Sequence, residues 1–376
     1  MRDNFFLAWQ YLRHHRLTTA VLVASITLII YLPAALQSIV KNAEHHFRSR
    51  ADSTPLVVGP RGSALELVLG SVFFDKPYPD VLRWEQLSRI KTQELGLAIP
   101  LHARFLARDR QIVGTTKDYT RMRGLRVARG RLWNMAGECV IGARVADQLK
   151  LQLGDKIPVS KSTMFTLDAP PLRLRVVGVL DTSETPDDDA IFVDLDTAWI
   201  IEGLGHGHTR GAQHGSAEAT LCTDITKENV GSFHFHGDRA KFPITAVIVN
   251  PNSDKSQTIL LGQYFSPDET AQIVRPREVM DSLLERIVMI RSYMIVIIGM
   301  VSLVTLLTMA LVIVLSIRLR RAELVTMSKI GCSRFTITSI LGTQIAIIIT
   351  AGTALATVMA ILTNAYGAEL VRLLVL

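Results

Sequence analysis

The sequence predicts an α-helical membrane protein with three transmembrane helices and a large α+β extracytoplasmic domain between the first and second. Three observations lead there. Residues 17–40, 292–317 and 335–368 carry no charged side chain, and each run can cross a hydrocarbon core of about 30 Å as a helix. The chain is 48% apolar and 20% charged, but its apolar residues gather at the two ends, and the middle reads as an ordinary water-soluble domain. The basic residues sit beside the apolar runs. Arg2, Arg13 and Arg16 oppose only Asp3 before the first run. Arg318, Arg320, Arg321, Lys329 and Arg334 oppose only Glu323 between the second and third. This is the pattern of cytoplasmic segments under the positive-inside rule. The net charge of +7 is thereby accounted for, and no nucleic-acid partner is expected.

Residues 1–16 predict an amphipathic cytoplasmic helix, with Phe5, Trp9 and Leu12 on the side that lies in the membrane interface. Residues 17–40 form the first span. The run is too long for a signal-peptide core and no small-x-small cleavage site follows it, so it is retained as an anchor. Pro33 falls inside it, which a membrane helix tolerates when neighbours satisfy the freed carbonyl. Residues 41–285 then form one extracytoplasmic insert. Its ends, 41–50 and 276–291, read as helices that continue the spans as a stalk: Val279, Leu283, Ile287 and Ile290 recur at helical spacing. The second stalk end and second span cover 286–317. A cytoplasmic elbow follows over 318–334, then the third span over 335–368. The tail 369–376 is left outside. A membrane hairpin with a charged helical elbow suits a moving part rather than a catalyst.

Within the insert, 78–95 reads as a helix with Val81, Trp84, Leu87 and Ile90 on its apolar face. Strands are expected over 97–105, 110–115, 138–141, 172–180, 190–194 and 244–249. Short helices are expected over 143–149 and 196–201. In 172–180, LRLRVVGVL, apolar and basic residues alternate, which marks a strand with one solvated face. Residues 202–242 are rich in Gly and His and read as loop or hairpin. The acidic stretch from Glu184 to Asp189 lacks the ligand spacing of a calcium loop and reads as a solvated turn. Cys139 and Cys222 stand in apolar surroundings and read as buried free thiols, with a disulfide between them as the alternative.

Five of the ten histidines lie between 206 and 236. His206 and His208 form one His-x-His pair, and His234 and His236 a second. On an extended backbone each pair falls on one face. A hairpin bringing the pairs together would offer three or four nitrogens to Zn²⁺, with His214 or Asp238 as substitute ligands. A solvent-exposed polar loop is the competing reading. No nucleophile–base constellation stands out, so no catalytic residue is assigned and the chain is not expected to be an enzyme.

The runs GLRVARGRLW, GECVIGARVADQLKLQLGDKIPV, LRLRVVGVL and DDDAIFVDLDTAW, in that order, resemble the periplasmic core of MacB/LolC/FtsX-like ABC transporter permeases. The elbow RRAELVTMSKIGCSR is similar to the family's cytoplasmic coupling segment. The resemblance covers residues 1–200 and 275–365. It departs in having three spans where the family has four, and in the histidine-rich segment. It implies a homodimeric permease of a bacterial inner membrane, with its large domain in the periplasm. It also implies a mechanotransmission role, in which a separate cytoplasmic ABC ATPase binds ATP and moves the stalk. This sequence has no Gly-x-x-x-x-Gly-Lys-Ser/Thr of its own to cradle phosphates. On the elbow, the resemblance assigns ATPase coupling to Arg320, Arg321, Glu323, Leu324, Met327, Lys329, Ile330 and Gly331. Leu324, Met327 and Ile330 share the face that would enter the ATPase groove. Arg320, Arg321 and Lys329 face lipid phosphates or partner carboxylates, Glu323 pairs with a partner cation, and Gly331 ends the helix. The cargo stays open among zinc, lipoproteins and effluxed small molecules, with a periplasmic metal-binding or adaptor protein as a further partner. The second reading of the whole is a membrane-tethered periplasmic metal-binding or sensor protein without an ATPase.

Overall fold

The computed structural model describes residues 2–78, 80–160, 172–207, 223–266, 268–319, 325–326, 329 and 333–375. The chain divides into two compact units, Met1–His45 with Leu283–Leu376, and His46–Ser282.

In the first unit, α1 (Arg2–His14) leads almost directly into α2 (Arg16–Asp52). Two further long helices come from the far end of the sequence, α9 (Pro276–Leu319) and α10 (Arg334–Val375). Among the described residues, three helices, α2, α9 and α10, are long and apolar enough to cross a membrane. Apolar side chains on α9 such as Met300, Leu307 and Leu311 remain about two-thirds exposed, as lipid contact requires. Helices α2 and α10 instead pack closely. A Cβ at Gly352 would lie 2.7 Å from Ile26. The Thr27 hydroxyl donates to the Gly352 carbonyl at 3.2 Å, and Tyr31 and Thr363 share a hydrogen bond of 2.8 Å. Small residues and interhelical hydroxyl bonds are the usual glue between helices in lipid. The N-terminal helix corrects the sequence expectation in part. Phe5 and Trp9 are exposed, but Leu12 is buried in a cluster with Leu22, Ile26 and Ile348. Leu12 therefore serves helix packing, not the interface face.

The second unit is an α+β domain. Its strands, in chain order, are β1 (Leu56–Pro60), β2 (Leu82–Arg83), β3 (Gly96–Ala107), β4 (Arg110–Thr115), β5 (Val127–Gly130), β6 (Glu138–Ile141), β7 (Lys156–Pro158), β8 (Leu172–Leu180), β9 (Ala190–Asp194), β10 (Gly205–Gly207), β11 (Thr223–Asp224), β12 (Phe233–Phe235), β13 (Pro243–Ile244), β14 (Ala246–Pro251) and β15 (Ala271–Val274). The helices are α3 (Ala64–Val72), α4 (Trp84–Thr92), α5 (Lys117–Met122), α6 (Ala143–Leu149), α7 (Leu195–Ile201) and α8 (Asp254–Gln263). One mixed sheet runs β11-β8-β6-β9-β4-β3-β14-β1-β15, with β5 and β7 also paired to β8. Two small ladders, β10-β12 and β13-β2, stand apart from it.

Two apolar cores flank the halves of this sheet. One gathers Ile141, Val145, Leu174, Val176 and Ile191. The other gathers Leu56, Leu87, Ile90, Trp199 and Val247. Helix α7 serves both, since Ala198 and Ile201 enter the first core and Trp199 the second. The strand expected over 172–180 forms as Leu172–Leu180, burying alternate residues up to Gly178 and then Val179 and Leu180 as well. The helix expected from 78 starts only at Trp84, because Leu82 and Arg83 pair as a strand with Ile244 and Pro243. Segments 56–60 and 271–274, which lack a clear sequence signal, pair with each other at the end of the sheet.

Candidate functional site

The motif runs of the middle region prove to be wired to one another. Glu138, at the start of β6, is 1% exposed. It accepts a two-pronged bond from Arg131 at 2.6 and 2.7 Å, one from the Asn134 N–H at 2.9 Å and one from Arg175 at 2.8 Å. One carboxylate thus ties the Gly-Arg turn, the β6 strand and β8. Gly130 in that turn has φ +83°, and a Cβ there would lie 2.2 Å from the Val177 carbonyl, so only glycine fits. Burial pushes the Glu138 carboxyl up, but the bonds from Arg131, Asn134 and Arg175 outweigh it and hold the pKa at about 2. The unfolded chain therefore binds this proton more readily, and the contribution is full above 4.5 and lost as pH falls towards about 2. Glu138→Gln is expected to cost about 2 kcal/mol at neutral pH, allowing for the partial exposure of both arginines. It should also flatten the acid limb of the stability curve in that window. Denaturant titrations between pH 2 and 7 on both proteins check this.

A second buried carboxylate ends the α2 helix in the domain. Arg50, in the last turn of α2, has a side chain 4% exposed, and Asp187 is 1% exposed. The guanidinium donates to both Asp187 oxygens at 2.7 and 2.8 Å, to the Tyr119 hydroxyl at 2.9 Å and to the Val72 carbonyl at 3.0 Å. The Tyr119 hydroxyl donates in turn to Asp187 at 2.6 Å, and Thr185 adds a bond of 3.0 Å. Burial would raise the Asp187 pKa, but the charge of Arg50 and its hydrogen bonds override this and lower it. Burial pushes the Tyr119 hydroxyl up to about 12, so it stays a donor. Arg123 stacks over the Tyr119 ring and donates to Ser53 and Thr54, just past the helix end. Beside this joint, exposed ion pairs link the base of α2 to the start of α9: Arg48 with Asp281 at 3.2 Å and Arg277 with Asp52 at 3.4 Å.

The joint corrects the reading of 184–189 as a solvated turn. Asp187 and Asp188 are both buried, within a 3-10 turn, Pro186–Asp189. Asp188 accepts from the Ser183 and Glu184 N–H groups and from the Ser183 hydroxyl, which folds the turn upon itself. Asp189 pairs with Arg110 and Arg144. Gly142 permits this packing, since a Cβ there would lie 2.3 Å from the Asp188 carbonyl. The sequence showed a run of acids but not their buried partners. Arg50 carried no signal, being one of several charges at the end of a long helix.

Among the elbow residues assigned to coupling, Lys329 is helical and exposed. Arg320, Arg321, Glu323, Leu324, Met327, Ile330 and Gly331 lie outside the described residues. So do His208 and His214. His206 lies on β10 directly opposite His234 on β12. The rings of His234 and His236 are 4.6 Å apart. Asp238 is occupied as a helix cap, accepting from the Ala240 N–H at 3.0 Å. Among the described side chains, no group of three or more His, Cys, Asp or Glu stands ready to hold a metal ion. Cys139 is a buried free thiol whose pKa burial raises, and Cys222 lies outside the described residues.

A family model described as the MacB-like periplasmic core domain matches residues 17–220. Solved structures similar to this chain include the periplasmic region of MacB from Actinobacillus actinomycetemcomitans. It is 11% identical, with 63% of this chain and 97% of that one covered, at a TM-score of 0.36. They also include the extracellular domain of the noncanonic ABC-type transporter YknZ from Gram-positive bacteria. That one is 13% identical, with 58% and 98% covered, at a TM-score of 0.34. No curated protein matches the chain. With more than half of its length matched by the family model, the chain belongs to the MacB/FtsX-like ABC transporter permease family, through its MacB-like periplasmic core domain.

Proposed function

We propose that this chain is the membrane subunit of an ABC transporter, coupling ATP hydrolysis on a separate cytoplasmic ATPase to movement of its own periplasmic domain. The observation that carries the reading is the joint at Arg50. Helix α2 is one continuous helix from Arg16 to Asp52. At 1.5 Å per residue it is roughly 55 Å long, nearly twice what a hydrocarbon core requires. Its last turn is held in the domain by a buried ion pair with four guanidinium bonds. In this reading the ion pair carries displacement of the helix end into the domain. The exposed Arg48–Asp281 and Arg277–Asp52 pairs add weaker ties between the end of α2 and the start of α9.

In this reading the ATPase docks on the elbow. Leu324, Met327 and Ile330 enter its groove, while Arg320, Arg321 and Lys329 face lipid phosphates or acidic partner side chains, and Glu323 meets a partner cation. Two copies of the chain work as a pair in a bacterial inner membrane. The test is purification of the tagged chain from its native membranes. ATP hydrolysis should co-purify with it and be lost when the elbow is altered. A chain that purifies intact without any ATPase, from cells making both, would overturn the reading in favour of a tethered sensor.

The orientation follows from the charges. A reporter active only in the cytosol, fused after Arg321, should be active, and the same reporter after Ser160 should be silent. Activity at both positions would mean that the domain is not exported.

A further inference from the structure

We propose that the first unit holds one anionic phospholipid of the cytoplasmic leaflet in a cleft between α1, α2, α9 and α10. The cleft has a volume of about 400 Å³. Tyr11 and His15 line one end, their rings 4.4 Å apart. Its walls are mostly apolar, with Leu22, Val312 and Ile345 among them. At Thr18, Leu22 and Val312 it meets a second cleft of about 330 Å³, which continues between α2 and α9 past Ser25, Thr305 and Met309.

Together the two clefts have the length of one leaflet. Ile317 and Thr305 mark their ends on α9, roughly 18 Å apart at 1.5 Å per residue. Half of a hydrocarbon core is about 15 Å. Polarity changes along this length as it does along a lipid. In the far cleft, the Ser25, Thr305 and Thr308 hydroxyls donate to the carbonyls of Val21, Val301 and Val304 in their own helices. Those hydroxyls are thereby satisfied, and an acyl chain can lie along them without stranding a polar group.

The near cleft is different. Gln344 lines it and is only 8% exposed, yet among the described residues its amide makes no hydrogen bond. A buried amide within a bilayer is costly without a partner. Its N–H groups can donate to the ester or phosphate oxygens of a lipid. A water could also satisfy the amide, but the apolar cleft beyond it has little to hold water. Arg13 on α1, Arg16 on α2 and Arg318 on α9 are exposed, and each is next in sequence to a lining residue, Leu12, His15 and Ile317. Positive charge from three elements thus gathers at the polar end, and basic pockets between membrane helices select anionic head groups.

The site rests on the reading of α2, α9 and α10 as membrane spans and needs no ATPase. The full-length chain, purified in mild detergent and freed of lipid, is titrated with phosphatidylglycerol or phosphatidylcholine and followed by native mass spectrometry. One phosphatidylglycerol per chain should be retained, about 10-fold or more tighter than phosphatidylcholine. Gln344→Leu should weaken retention about 10-fold. It should leave the lipid-free Tm equal to or above the parent's, since leucine removes an unsatisfied buried amide. A glutamine that only held the helices together would lower that Tm. Val312→Trp should fill the cleft and displace the lipid, whereas Leu355→Trp, outside both clefts, should change nothing. Arg16→Gln with Arg318→Gln should erase the preference for phosphatidylglycerol. Equal retention of the two lipids, or retention unmoved by Gln344→Leu and Val312→Trp, overturns the site. So does a dimer that holds no lipid, which would mean that a second copy covers the cleft. Reporter fusions showing the reverse orientation would overturn the leaflet but not the retention, so the two failures are told apart.

Discussion

Asp187→Leu is expected to destabilise the folded periplasmic domain by about 3–5 kcal/mol, because it leaves the Arg50 guanidinium buried without its counter-charge. The size follows from the geometry. Arg50 and Asp187 are both almost wholly removed from water, so the remaining charge has no solvent to turn to. Tyr119 and the Val72 carbonyl still contact Arg50, but neither is ionised. Arg50→Lys should cost less than this yet remain well above a surface change, since lysine keeps the charge and loses the two-pronged geometry. The double variant Arg50→Met, Asp187→Leu should recover most of the loss, as apolar replacement of a buried pair commonly does. Denaturant unfolding of the full-length chain in detergent, followed by tryptophan fluorescence, reads this directly. Three of the four tryptophans, Trp84, Trp133 and Trp199, lie in the domain. Singles within about 1 kcal/mol of the parent would mean that the pair is not the structural lock described. Under the proposed function, the single variants should also retain the ATPase while losing transport-linked motion, because the elbow is untouched.

Leu324→Asp with Met327→Asp should abolish ATPase association while leaving the domain folded. Both residues belong to the face proposed to enter the ATPase groove, and burying an unpaired carboxylate there costs several kcal/mol, about a thousand-fold or more in affinity. Leu324→Ala with Met327→Ala should weaken association by a smaller factor, from lost apolar area alone. Co-purification and ATP hydrolysis measure the first effect, and domain unfolding serves as the control. An ATPase retained and stimulated normally by the Asp variant would remove the elbow as the dock. Comparison with the Asp187 variants separates two failures, of docking and of transmission.

Local patterns carried much of the fold. The two-residue alternation of 172–180 and the short helix of 143–149 both form as their sequences predict, because each depends on neighbours a few residues away. The three apolar helices are legible for the same reason: length and absence of charge decide them. The motif order and the elbow's charge pattern also led to the family, which the match over residues 17–220 shows.

What the sequence by itself determined was therefore the inventory of local elements, the apolar spans and the family. The tertiary structure decided which charges are buried and which distant residues meet. Arg50 and Asp187 stand 137 positions apart, and no local rule distinguishes them from solvated charges nearby. Strand β1 meets β15 only through long-range pairing, so a five-residue segment ending in Gly-Pro gave no sign of lying within a sheet. The register that sets His206 against His234 likewise depends on Phe235 finding Trp199 and Phe242 in the core. Burial and register are properties of the packed whole, fixed when apolar faces close on one another, and a linear sequence records them only through residues that lie far apart along it.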